Sequence, residues 1–373
     1  MAGDFELVIQ SNFAHVEARD LGVSRILDKA LHERELTKKE ISHLMKTSDI
    51  IDLYSIFSVA QRIREKNFGN TVFPYGFIYS STYCRNYCIF CFYRKPNVKC
   101  LRYRKTPEEI LEYASQLEKS EVHLIDLTMG EDPMIHNEKH YEYLVNLVKR
   151  IVDEIGLPVM VSPGVIPRET LRELARVGAD WFALYQETHN RELFNRLRVR
   201  QSFDARMNAK LQAKREGLLI EEGVLIGVGE TYQDRVDSIL AMKGIGAHQV
   251  REMGFQPQPN TPMEFCSSPP ILDEMKFIAI MRITQPDKLI PASYDIDGPR
   301  GLQLRLMAGA NVVTSLIPPR SGLAGVGQPQ LDIKCGLRTV KGVEPYIEQI
   351  GLRFAPRKRY IEWIKENKTL AQK

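Results

Sequence analysis

Two textures of hydrophobic patterning divide this chain. Over residues 1–70 apolar positions recur at helical spacing, in Ile26-Leu27-Ala30-Leu31, in Ile41-Leu44-Met45 and in Ile51-Leu53-Ile56-Val59-Ala60, which predicts an N-terminal helical extension. From about Val72 short apolar runs alternate with longer amphipathic stretches. The runs are Val72–Tyr79, Val122–Thr128, Pro158–Ser162, Trp181–Tyr185, Leu218–Ile226, Gln249–Phe255, Leu289–Ser293 and Val312–Ile317. Continuous apolar runs of this length suit parallel strands buried on both faces. The stretches between them carry helix starts. Thr106-Pro107-Glu108-Glu109, for example, sets out an N-cap Thr, a Pro at the first helical position and a Glu at the third. Eight strands alternating with helices predict an α/β fold, a (β/α)8 TIM-type barrel over 71–330 followed by a C-terminal helical tail over 331–373. Six strands in an open barrel, or a doubly wound sheet, would give nearly the same string. The fifth run, with Glu221-Glu222-Gly223 in its middle, reads as a bulged strand or as a shorter strand after a turn.

In such barrels chemistry collects where strands end and the following loops begin. Polar or small residues gather at those places. The first run ends at a cysteine cluster, and the second contains Asp126 and ends in Gly130-Glu131-Asp132-Pro133. The third ends in Ser162-Pro163-Gly164, the fourth in Gln186-Glu187-Thr188 and the fifth in Gly227-Val228-Gly229-Glu230. Arg251 lies within the sixth, the seventh ends in Ser293-Tyr294-Asp295, and Thr314 and Ser315 lie within the eighth. Supply of polar groups by eight separate ends points to an enzyme.

Net charge narrows the partners. Lys plus Arg exceed Asp plus Glu by 51 to 47 in 373 residues, a net of +4 that argues for neither nucleic acid nor a membrane surface as partner. The first residues, Met1-Ala2-Gly3-Asp4-Phe5-Glu6, have early acids and no apolar core of signal-peptide length, and no apolar run has the length of a bilayer span. The expectation is a soluble cytoplasmic protein. Six cysteines are present, at 84, 88, 91, 100, 266 and 335, too sparse in a chain of this size for a disulfide framework.

Cys84, Cys88 and Cys91 have the spacing C-x-x-x-C-x-x-C. Three thiolates on one short loop can hold three irons of a four-iron, four-sulfur cluster and leave the fourth iron open to another ligand. A structural zinc site would need a fourth protein ligand, and no second Cys/His pair stands nearby. The segment Tyr83-Cys84-Arg85-Asn86-Tyr87-Cys88-Ile89-Phe90-Cys91 resembles the signature of the radical S-adenosylmethionine superfamily, including an aromatic residue just before the last cysteine. That resemblance implies a cluster whose open iron is chelated by S-adenosylmethionine, and reduction that releases a 5′-deoxyadenosyl radical. It also implies contacts to S-adenosylmethionine from Phe90, from Gly130, Glu131 and Asp132, from Ser162, from Glu187 and Arg206, and from Gly227.

Longer strings resemble the biotin synthase-like branch of the superfamily, and within it the lysine mutases of pyrrolysine biosynthesis. They include Phe77-Ile78-Tyr79-Ser80-Ser81-Thr82, Asp126-Leu127-Thr128-Met129, Ala183-Leu184-Tyr185-Gln186, Leu197-Arg198-Val199, Leu289-Ile290-Pro291-Ala292-Ser293 and Gly309-Ala310-Asn311-Val312. The likeness covers the chain to about residue 320 and implies conversion of L-lysine into (3R)-3-methyl-D-ornithine. In the implied reaction a hydrogen leaves the γ-carbon, the chain fragments and the pieces recombine, with an external electron donor supplying the reductant. Lysine presents one carboxylate and two ammonium groups. Arg251 suits the carboxylate, while Asp126 and Asp295, helped by Ser293, suit the ammonium groups; the same four match the ligand-contacting positions of those mutases. Asp297, two residues beyond Asp295, is an alternative inward-facing acid, and interior salt bridges are the bland alternative for all of them. Rival functions are a maturase or sulfur-inserting enzyme of the same branch and, from another class, a metal-stabilised binding protein or iron–sulfur sensor.

Overall fold

The computed structural model of the chain describes residues 16–137, 141–323, 325 and 338–371. Each of the eight apolar runs becomes a strand: β1 (Thr71–Ser81), β2 (Leu124–Met129), β3 (Val159–Ser162), β4 (Trp181–Ala183), β5 (Leu219–Ile226), β6 (Gln249–Gly254), β7 (Pro291–Ser293) and β8 (Val312–Leu316). They pair in parallel in the order β6-β5-β4-β3-β2-β1-β8-β7. A bridge between Gln249 and Leu289 joins the two ends, with Val250 N–H donating to the Leu289 carbonyl at 3.0 Å and Leu289 N–H to the His248 carbonyl at 3.1 Å. The result is a nearly closed barrel ringed by helices. Thr106 forms the expected capping box with Glu109 at the start of the helix after the cysteine loop.

The fifth run differs from the expectation of a bulge or a turn. β5 runs unbroken through Glu221-Glu222-Gly223 and pairs residue by residue with β6, from Glu221 against Gln249 to Ile226 against Gly254. Two adjacent carboxylates are tolerated in a buried strand because alternation sends them to opposite faces, each to its own cation. Glu221 points into the barrel and accepts from Arg251 Nε at 2.6 Å, whereas Glu222 points outward to the buried ammonium of Lys210. Gly223 is required where it stands, since a Cβ there would lie 2.8 Å from the Tyr185 ring.

The N-terminal extension comprises helices Leu21–Leu31, Lys38–Lys46 and Ile50–Phe68, capped by Asp20, Thr37 and Asp49. They pack on the outer ring, Lys38–Lys46 against Tyr232–Gly244 and Ile50–Phe68 against Ile271–Thr284. The tail does more than the expected helices. Between helices Val340–Glu348 and Arg357–Ala371 a short strand β9 (Arg353–Phe354) pairs with β1 at Thr71 and Val72. The last helix then plugs the N-terminal end of the barrel. Trp363 stacks on Trp181 with ring centroids 5.7 Å apart, and Tyr360 and Ile364 join Phe73, Tyr75, Leu124, Met160 and Leu219 in one apolar layer. Tyr360 donates to the Tyr75 hydroxyl at 2.7 Å, and Tyr75 donates to Gln249 Oε1 at 3.1 Å. With that end sealed, access to the interior is from the C-terminal ends of the strands. No helix among the described residues is long and apolar enough to cross a membrane.

Candidate active site at the barrel mouth

The cysteine loop leaves β1 and is laced to its neighbours by backbone hydrogen bonds. Arg85 N–H donates to the Glu131 carbonyl at 2.9 Å, Ile89 N–H to the Leu197 carbonyl at 2.9 Å, and Gly130 N–H to the Ser81 carbonyl at 2.9 Å. Cys88 is buried and its sulfur accepts from Gln201 Nε2 at 3.0 Å and from Arg198 Nη1 at 3.7 Å. Burial pushes the Cys84 thiol up to about 11, with Cys88 adding to the shift, and pushes Cys91 higher still with both other thiols contributing. Three mutually repelling sulfurs, one of them buried with two donors aimed at it, suit a group that brings positive charge to all three.

Gly130 is the seat of this loop. A Cβ there would lie 2.3 Å from the Tyr83 carbonyl oxygen and 2.9 Å from Cys84 Cβ. Gly130→Ala is therefore expected to displace the loop at a cost of about 1–3 kcal/mol. Iron bound after reconstitution should fall several-fold while far-ultraviolet circular dichroism stays unchanged; iron content equal to that of the parent would show the loop has room.

A cavity at the mouth is lined by Asp126, Arg251, Ser293 and Asp295, and also by Phe90, Cys91 and Glu187. The remaining expected cofactor contacts, Gly130, Glu131, Asp132, Ser162, Arg206 and Gly227, are not among the residues lining it. Glu131 pairs with Arg85 at 3.1 Å and lies 3.6 Å from Arg206. The Asp132 carboxylate is fully engaged by Arg104 (2.7 Å to each oxygen), by Ser81 Oγ at 2.5 Å and by Met134 N–H at 2.9 Å, so its side chain fixes the turn rather than reaching for a ligand. Ser162 closes β3 beside Thr128. Arg206 donates twice to the Tyr185 carbonyl, at 3.2 and 2.6 Å, and burial, with Arg198 nearby, draws its guanidinium down to about 10. Gly227 has φ +83°, and its N–H and that of Val228 are both held by Glu230 at 2.9 Å.

Glu187 bears on the fit of S-adenosylmethionine. One carboxylate oxygen pairs with Arg198, while Oε2 is buried and unpartnered among the described residues. A buried carboxylate oxygen without a donor, on a residue that lines the cavity, is poised for a ligand hydroxyl.

The same cavity brings the four expected lysine contacts together. Thr128 Oγ1 donates to Asp126 at 2.8 Å. Ser293 donates to Asp295 Oδ1, as does Ser315 at 3.0 Å. Asp297 instead pairs with Arg305 at 3.0 Å with its side chain 54% exposed, so Asp295 is the inward-facing acid of the two. The interior salt bridge weighed as the bland alternative does exist for Arg251. It is made across adjacent strands to Glu221, which also accepts from Tyr185 OH at 3.0 Å. Arg251 Nη1 reaches Thr314 Oγ1 at 3.4 Å. Burial, reinforced by Glu221, pushes the Asp126 carboxyl up to about 7.

Sequence reading singled out neither Glu221, Tyr185, Arg198 nor Gln201 as site residues. Of the other cysteines, Cys100 is buried beside the Leu101 carbonyl and Cys266 is exposed, neither on a barrel strand; Cys335 lies outside the described residues.

A family model described as the radical SAM superfamily matches residues 78–242. The chain is 41% identical over 326 residues to 3-methylornithine synthase of Methanosarcina barkeri, an overlap of 87% of this chain and 92% of that one. It is 34% identical to the FeFe hydrogenase maturase subunit HydE of Thermotoga maritima, over 77% of this chain and 82% of the relative. A crystal structure of methylornithine synthase superposes with a TM-score of 0.85 at 39% identity, covering 91% of this chain and 99% of the other. The chain belongs to the methylornithine synthase family of radical S-adenosylmethionine enzymes.

Proposed function

We propose that the chain converts L-lysine into (3R)-3-methyl-D-ornithine, the opening step of pyrrolysine biosynthesis. Cys84, Cys88 and Cys91 hold a four-iron, four-sulfur cluster, and S-adenosylmethionine sits beside Phe90 and Glu187. The observation that carries this reading is a cavity whose walls join a buried Arg251 and two buried acids to Cys91. Bound there, cluster and S-adenosylmethionine together supply a hydrogen-abstracting radical.

The chain's own residues bind, orient and exclude water. Arg251, steadied by Glu221 and Tyr185, presents its remaining N–H groups to the substrate carboxylate. Asp126 receives one ammonium group, and Asp295 with Ser293 the other. Clamping both ends keeps two fragments of a cleaved chain close enough to rejoin. Glu187 Oε2 accepts from a ribose hydroxyl, and Arg198 with Gln201 donates to the Cys88 sulfur. The Phe77 and Phe255 rings help wall the cavity from water. An external one-electron donor completes the system, and free thiols of this kind belong in the reducing cytoplasm.

The raised carboxyl of Asp126 sets a pH dependence. An acid lifted from 3.8 to about 7 is mostly protonated at pH 6 and mostly ionised at pH 8, and only the ionised form attracts an ammonium group. Lysine KM is expected to fall about tenfold from pH 6 to pH 8. Asp126→Asn should show a high KM that no longer follows pH, and a parental profile in that variant would remove Asp126 from the lysine site.

The reading is tested by 5′-deoxyadenosine release from reconstituted protein given S-adenosylmethionine and dithionite. Lysine should stimulate release, whereas norleucine, which lacks the ε-ammonium, and cadaverine, which lacks the carboxylate, should not. Equal stimulation by all three would refute a two-ended clamp.

A further inference from the structure

From Thr71 to Pro107 the chain contains no acidic residue and seven basic ones, at positions 85, 94, 95, 99, 102, 104 and 105. This segment carries the three cysteines, and the structure sorts its cations by what they do. Arg102 turns inward, donating to the Tyr93 carbonyl at 2.9 Å and the Arg94 carbonyl at 2.7 Å, and so holds the loop together. Arg104 is taken by Asp132 and Arg85 by Glu131. Lys95 and Lys99 are exposed and make no ion pair among the described residues.

Arg196 and Arg200 stand in the same condition: exposed, and without an ion pair among the described residues. Arg200 meets the cysteine loop directly. Its guanidinium lies 4.4 Å from the centroid of the Tyr87 ring, and the Lys95 ammonium lies 5.9 Å from the same centroid. Two cations share one aromatic ring with no carboxylate between them, next in sequence to the buried Cys88. The same loop exposes Val98 at 89% and Leu101 at 57%. Exposed apolar side chains among unpaired charges of one sign are the make-up of an interface with a complementary partner.

We propose that this face docks a small acidic one-electron carrier protein, its carboxylates on Lys95, Lys99 and Arg200 and its redox group toward the Tyr87–Cys88 edge. The proposal rests on the function given above, which requires the cluster to be reduced. One electron leaves the reduced carrier and enters the enzyme's iron–sulfur cluster, so the carrier is oxidised by one electron, the cluster is reduced by one, and no bond is made or broken. Solvated surface cations are the bland alternative; convergence on the cysteine loop and the absence of acids over the whole segment favour docking. Placing positive charge over the entry point raises the encounter rate with an acidic donor and makes that rate fall with salt.

The test uses the reconstituted holoenzyme and reduced flavodoxin, an acidic one-electron carrier, as probe. Flavodoxin oxidation is followed by stopped flow across a range of ionic strength, for the parent and for Lys95→Glu, Lys99→Glu and Arg200→Glu combined. The parent should react fastest at low salt, and the reversals should slow it at least tenfold there and flatten the salt dependence. Iron content and dithionite-driven cleavage of S-adenosylmethionine should match the parent, which separates lost docking from a damaged cluster. A parental rate in the variant, or a parental reaction insensitive to salt, would overturn the docking surface. Failure of dithionite to drive any cleavage in the parent would instead count against the proposed function.

Discussion

Cys88→Ala is expected to give a folded but nearly colourless protein with more than about 100-fold less lysine-dependent activity. Cys88 is the buried member of the three, and two donors, Gln201 and Arg198, are aimed at its sulfur. The loop around it is held by its own backbone bonds to Glu131 and Leu197, so the chain does not depend on that side chain to keep its path. Removing one of three thiolates leaves too few ligands to retain a cubane cluster. Iron and sulfide analysis after reconstitution, with a melting curve as control, checks this. Full iron content and parental activity in the variant would dismiss Cys88 as a ligand.

Arg251→Lys carries the second large effect. Lysine at this position keeps the charge but loses the planar fork, and the present fork serves three neighbours at once: Glu221 through Nε, Thr314 through Nη1 and the Tyr185 ring 5.7 Å from the guanidinium. Losing a charge-assisted hydrogen bond to the substrate carboxylate costs about 1.5–3 kcal/mol, so kcat/KM for lysine should fall by roughly 10- to 100-fold. Most of the loss should appear in KM, because Arg251 is assigned to the substrate carboxylate. Glu221→Gln should produce a smaller loss of the same kind by loosening Arg251. The double variant should lose less than the two single losses combined, since the two residues act as one unit. Additive losses would mean that Glu221 and Arg251 act separately.

The eight strands were legible because parallel strands buried on both faces must be apolar throughout. That same property hid the interior. In β5 both Glu221 and Glu222 are fully buried, and nothing local tells which one faces the barrel interior; the register against β6 decides it by setting Glu221 on the Arg251 side of the sheet. Asp295 and Asp297 posed a similar ambiguity. The backbone resolves it with φ +61° at Asp297, which carries that carboxylate out to Arg305. The cysteine loop was readable from spacing alone, since three thiolates must reach one cluster. Arg198 and Gln201 were not marked as site residues, because they reach Cys88 only through tertiary packing across more than a hundred residues of sequence. The tail reads as helical in the sequence, which shows neither β9 nor the barrel plug. A two-residue strand has no periodicity to detect, and the stacking of Trp363 on Trp181 exists only once the barrel has closed.

Conversion of lysine is tested by anaerobic incubation of reconstituted protein with L-lysine, S-adenosylmethionine and dithionite, followed by chromatography and mass spectrometry of the amino acids. A new species with the mass of lysine but a different retention time is expected, absent without S-adenosylmethionine and absent from Cys88→Ala. Sustained release of 5′-deoxyadenosine in the presence of lysine, with lysine recovered unchanged and no isobaric product, would contradict it.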